Sequence, residues 1–173
     1  PWGVTLFGRT FTDQYLLSLA DSLQRQSALP LCGERALNLA VPNAVARNDR
    51  ARVVVCGAHL DGLPLNWQLK QRGGRLIETT QSSPDYQLYA LAGGPPFRPG
   101  MVRVAEGGVA IEVEVWQLPS SELGSFLTGI PAPLGLGKVQ LADGRWETGF
   151  ICEPCGLDGA QEISHFGGWR AYM

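Results

Sequence analysis

The most regular pattern in the chain is "AIEVEVWQL", where Ile111, Val113 and Val115 alternate with Glu112 and Glu114. A period of two places apolar side chains on one face and carboxylates on the other, which predicts a strand at Val109 to Leu118 with one wet side. Shorter β-type runs predict further strands at Arg52 to Cys56, Arg75 to Thr79, Tyr86 to Leu91, Val102 to Ala105, Lys138 to Leu141 and Thr148 to Cys152. The last two form a hairpin, because Asp143-Gly144 supplies the positive φ angles of a tight turn. Two helices interrupt them, one from about Pro64 to Arg72 with Leu65 and Leu69 inward, one from about Ser121 to Leu127. Seven short strands with few helices imply an α+β fold, a small mixed β-barrel or strongly curled sheet, since closure removes exposed edges.

The opening stretch reads differently. Val4 to Phe7 suits a short strand, and from about Thr12 a helix gathers Tyr15, Leu16, Leu19, Ala20 and Leu23 on one face, with Thr12 as cap and Asp13 at the positive end of the dipole. One strand and one helix cannot bury themselves, so these faces call for a neighbour. Periodicity then fades through "LPLCGERALNLAVPNAVARNDR". That segment is either a linker or a loop packed over the next domain, with Leu37, Leu39 and Val41 alternating as an edge strand would. The expected division is 1–28, a linker at 29–51, and a domain at 52–173.

Composition narrows the partners. In 173 residues, 45% are hydrophobic and 17% charged, which describes a folded chain. A net charge of -2 leaves no basic excess for phosphates, so nucleic acid is not an expected partner. No apolar run approaches the ~20 residues that span a bilayer, so no membrane association is expected and a cytoplasmic setting is the working assumption. The four cysteines, Cys32, Cys56, Cys152 and Cys155, read as free thiols; "CEPC" has metal-site spacing but needs a second ligand pair.

His59 is the first candidate for chemistry, one of only two histidines, placed where the strand before "CGAHLDG" ends. Gly57 would permit unusual backbone angles, and a helix starting near Pro64 would turn its N–H groups toward the same mouth, making an anion pocket. A histidine there can move a proton or hold a carboxylate, or it can simply cap the loop. Asp61 and Asn66 suit turn and cap roles as well as substrate contact. "AGGPPFRPG", residues 92–100, is a shaped loop whose Arg98 either reaches a carboxylate or stays solvated. In "SHFGGWRAYM" the aromatics close a core, with His165 as a lesser ligand candidate. No nucleophile elbow, P-loop or dinucleotide fingerprint is present, which leaves acid-base or electrostatic catalysis.

Residues 52–173 resemble the C-terminal domain of allophanate hydrolase, through "VVVCGAHLDGLPLNWQL", "YQLYALAGGPPFRPGMVRVAEGG", "IEVEVWQLP", "IPAPLGLGKVQLADGR" and "HFGGWRAYM". "GVTLFGRTFTDQYLLSLADSL" resembles the last strand and helix of an amidase-signature domain, without that family's catalytic serines and lysine. The resemblance implies a γ-glutamylcyclotransferase-like fold with "CGAHL" as its ligand loop. It departs from the cyclotransferases at Leu127 to Gly135, which hold no acid. It also implies a role in urea breakdown, promoting decarboxylation of N-carboxycarbamate after the amidase domain has released ammonia. His59 would be the acid-base residue, and Gly57, Ala58, Leu60, Asn66 and Arg98 would contact the substrate. The implied partners are a small dicarboxylate, the chain's own N-terminal amidase domain and a second copy in a homodimer, with no metal or organic cofactor. The rival is a non-catalytic scaffold for the amidase.

Overall fold

The computed structural model describes residues 4–10, 12–27 and 49–173. The chain divides into two compact units, residues 1–45 and 46–173. In the first, helix α1 covers Asp13–Ser27. Val4, Phe7, Tyr15, Leu19 and Leu23 are exposed, so the apolar face anticipated for this stretch lies open. Val4 to Phe7 forms no strand, because among the described residues no neighbouring strand offers its backbone a ladder. Cys32 and the alternation at Leu37, Leu39 and Val41 lie outside the described residues.

The second unit contains the strands β1 (Arg50–Val55), β2 (Arg75–Gln81), β3 (Tyr86–Ala90), β4 (Pro99–Arg103), β5 (Glu112–Pro119), β6 (Leu134–Gln140), β7 (Trp146–Cys152) and β8 (Gln161–Glu162). Helices α2 (Trp67–Gln71), α3 (Ser120–Thr128) and α4 (Trp169–Tyr172) lie between and after them. One sheet has the order β2-β5-β1-β7-β6 and the other β4-β3-β8. The architecture is α+β, as the pattern predicts.

The barrel does not close. The edge strands β2 and β6 meet only at one end, through the Ser82–Leu141 bridge and the bonds Ser83 N–H to Gln140 O (2.8 Å) and Ala142 N–H to Gln81 O (2.9 Å). A register shift between Leu76 and Glu78 irregularises the β2 edge, a device that discourages further pairing.

β1 sits at the centre, antiparallel to β5 and parallel to β7. Val53, Val54 and Val55 are all buried, so both its faces are covered. Gly149 faces Val54 across the parallel step, where a Cβ would come within 2.7 Å of Val54 Cβ; only glycine lets these strands approach.

β5 departs from the wet-faced strand its alternation predicts. Glu114 is 2 % exposed and accepts hydrogen bonds from Trp116 Nε1 (2.9 Å), the Asp61 amide (2.8 Å) and Arg170 Nη2 (2.6 Å). Arg170 reaches it from α4, a helix the aromatic run "HFGGWRAYM" does not announce. β4 also begins earlier than expected, so Pro99 and Gly100 belong to a ladder and the shaped loop ends at Arg98.

Candidate functional site

After Val55 the chain leaves the sheet and turns through residues 57–60, closed by Leu60 N–H to Gly57 O at 2.8 Å. Gly57 is needed for close approach rather than for a left-handed φ: a Cβ there would overlap the Pro99 ring. The following turns are braced by Leu65 N–H to Ala58 O (2.8 Å) and by Asn66 Nδ2 to the His59 carbonyl (2.8 Å). α2 has five residues, shorter than predicted, and its first amides bond within the preceding turns: Gln68 N–H to Leu65 O and Leu69 N–H to Asn66 O, each 3.0 Å. The helix-end anion pocket anticipated near Pro64 is therefore not formed by α2.

His59 is half-buried. Its ring stacks on Phe150 with centroids 5.0 Å apart and meets Phe126 edge-on at 5.4 Å. Its Nε2 lies 3.0 Å from Gln68 Oε1. A carboxamide oxygen only accepts, so in this arrangement Nε2 carries the proton and Nδ1 holds the lone pair. Burial pushes the imidazole below its ordinary value; the Gln68 bond opposes this, while the positive charges of Arg98 and Arg72 add to it. The balance favours the neutral ring.

A cavity of about 150 Å³ opens beside it, lined by His59, Gln68, Gly57, Ala58, Arg98 and Phe150 among others. None of its described lining residues is an acid. Arg98 Nε is buried and has no hydrogen-bond partner among the described residues. An unpaired buried donor is costly, and a guanidinium among the lining residues of a small cavity offers positive charge to an anion. Arg98 also borders a second, more open cavity of about 580 Å³ with Cys155 and Glu153.

The candidates thus separate. Gly57, Ala58, His59 and Arg98 come together on the cavity. Leu60 is fully buried in the core and Asn66 is buried beneath the loop; both support it without lining the cavity, because the turn directs them inward. Asp61 is exposed and pairs with Lys70 at 2.7 Å. His165 is exposed and lies against Phe166, with centroids 4.2 Å apart. Gln68 escaped the sequence reading; its only signal is its position on the short helix that folds back over the His59 loop. Cys56 also lines the cavity, its thiol pushed up to about 12 by burial, with Cys152 adding to the shift. Cys56, Cys152 and Cys155 are free thiols, and no metal-holding cluster of His, Cys, Asp or Glu occurs among the described residues.

Residues 51–173 match the family model of the allophanate hydrolase C-terminal domain. The chain belongs to this family. It is 39% identical over its whole length to urea amidolyase of Saccharomyces cerevisiae, of which it covers 10%. Among solved structures it resembles Kluyveromyces lactis allophanate hydrolase, with a TM-score of 0.69 and 34% identity over 95% of this chain and 29% of that one. A uropathogenic E. coli-specific protein matches with a TM-score of 0.67 and 35% identity, over 71% of this chain and 94% of its own. The chain therefore spans about a tenth of the curated relative's length. No helix among the described residues is long and apolar enough to cross a membrane.

Proposed function

We propose that the 46–173 unit binds N-carboxycarbamate in the cavity beside His59 and promotes its decarboxylation, as part of an allophanate hydrolase acting in urea breakdown. One observation carries the reading: the His59 imidazole, held below its ordinary value chiefly by burial, and Arg98, whose Nε has no partner among the described residues, line one small cavity with no acid among its described lining residues. Arg98 pairs with one carboxylate of the dianion. The dianion's own charge raises the proton affinity of His59, which takes up a proton and passes it to the substrate nitrogen. The C–N bond to one carboxylate then breaks, carbon dioxide leaves, and carbamate remains. Because burial and two cations disfavour the imidazolium, it surrenders that proton readily.

Cyclotransferase chemistry on γ-glutamyl amines would need an acid that the lining lacks. Residues 1–28 fit the end of an amidase-signature domain, and the exposed Tyr15, Leu19 and Leu23 of α1 suit burial against the rest of it.

The test supplies N-carboxycarbamate in situ from an allophanate amidase and follows carbon dioxide release. The chain accelerates release and His59→Ala does not; equal rates remove His59 from the mechanism. Calorimetric titration with malonate, a stable dicarboxylate of similar shape, gives binding that Arg98→Met weakens at least tenfold. Absence of malonate binding favours the scaffold reading.

A further inference from the structure

We infer that Gln68 is a positioning residue that fixes the tautomer of His59 and aligns its ring without adding negative charge to the cavity. The inference rests on the reading of His59 as the proton-transfer group. Gln68 Oε1 holds Nε2 at 3.0 Å, which assigns the proton to that nitrogen and leaves Nδ1 as the ring atom with no protein partner among the described residues.

Gln68 is itself held. Arg72 Nη1 donates to the Gln68 carbonyl at 2.9 Å, while Arg72 Nε donates to Ser125 Oγ at 2.9 Å and Nη2 to the Ser125 carbonyl at 3.3 Å. The same guanidinium stands 5.9 Å from the Phe126 ring, whose edge meets His59. One arginine thus locks α2 to α3 and sets the two surfaces, polar and aromatic, that fix the imidazole plane.

The choice of a carboxamide has a chemical reason. A carboxylate at this position would orient the ring equally well, but it would stabilise the imidazolium in the empty site and repel a dianion. Glutamine supplies the acceptor alone. The ring stays neutral until the ligand's own charge arrives.

Histidine ¹⁵N NMR tests this directly, because the chain has two histidines and the two signals are readily told apart by substitution. The wild-type chain should show His59 as the Nε2–H tautomer, titrating below the ordinary imidazole value. Gln68→Glu should raise the His59 pKa, while weakening malonate binding about tenfold. Gln68→Leu should mix the tautomers and lower turnover at least tenfold, with malonate affinity little changed. An Nδ1–H tautomer in the wild type, or a His59 titration that Gln68→Glu does not move, overturns the inference. The wild-type measurement decides even if a variant fails to fold. Should the titrations behave as stated while malonate does not bind, the role of Gln68 stands and the dianion reading falls.

Discussion

Replacing Glu114 by glutamine asks whether a buried carboxylate ties the loop carrying His59 to the C-terminal helix. The side chain is 2 % exposed, and its oxygens serve Asp61, Trp116 and Arg170 at 2.8, 2.9 and 2.6 Å. A carboxamide keeps the volume and one acceptor. If that oxygen stays with Asp61 and Trp116, the new NH₂ group faces the Arg170 guanidinium, donor against donor. Hydrogen bonds to charged groups contribute about 1.5–3 kcal/mol each, and breaking a buried pair costs about 3–5 kcal/mol. Arg170 still has Glu112 at 2.7 Å and is 32 % exposed, so solvent and the second carboxylate recover part of the loss. The expected cost of Glu114→Gln is about 2–3 kcal/mol by urea unfolding of the full chain. Arg170→Met should cost more, about 3–5 kcal/mol, because it strands the anion that is buried rather than the cation that is half-wet. The double variant should fall short of the sum by about 1–2 kcal/mol, since the second change removes the donor left facing the first. A cost below about 1 kcal/mol for Glu114→Gln, or strict additivity, refutes the network.

Gly57→Ala must push the loop off Pro99, so it should abolish malonate binding at a stability cost of about 1–3 kcal/mol, read by calorimetry and urea unfolding on one preparation. His59 is held below its ordinary 6.5 when folded, so on acidification the unfolded chain binds this proton first. Stability is therefore lost as pH falls from about 6.5 through the folded value, and His59→Gln should flatten that segment of the urea-midpoint profile. Cys56, pushed up from 9.0 to about 12, should resist iodoacetamide at pH ~8 some thousandfold more than an ordinary thiol, while exposed Cys155 alkylates; peptide mass mapping separates the two.

The sequence made local features legible and left long-range ones hidden. Period-two alternation places β5, and three valines before "CGAHL" place β1 and the mouth at which His59 stands. The same alternation misassigns the environment of Glu114, because alternation reports the two faces of a strand and not what covers them. Arg170, 56 residues later, covers this one. Gly57 shows the same limit in reverse. A glycine on a turn suggests backbone freedom, whereas its requirement comes from Pro99, a residue brought alongside only by the fold. Barrel closure depends on whether β2 and β6 pair along their length or only at the Ser82–Leu141 corner, a question of non-local register that no short window encodes.

In the proposed reaction the cavity takes a small dianion, which its charge favours. At about 150 Å³ the cavity has room for a small ligand. Its walls include Phe150, Leu134 and Ile130, which weaken solvent screening, and no acid among the described lining residues offsets Arg98. An anion entering such a place meets the charge of Arg98 and a histidine held below its ordinary value by burial, with Arg98 adding to the shift. Binding therefore supplies the charge that protonation of His59 lacks. A ligand with one carboxylate would satisfy Arg98 and leave the imidazole near its resting state, whereas a second carboxylate acts on the ring. In the proposed reaction, the arrangement would couple recognition of two charges to the proton that one of them must await before carbon dioxide can leave.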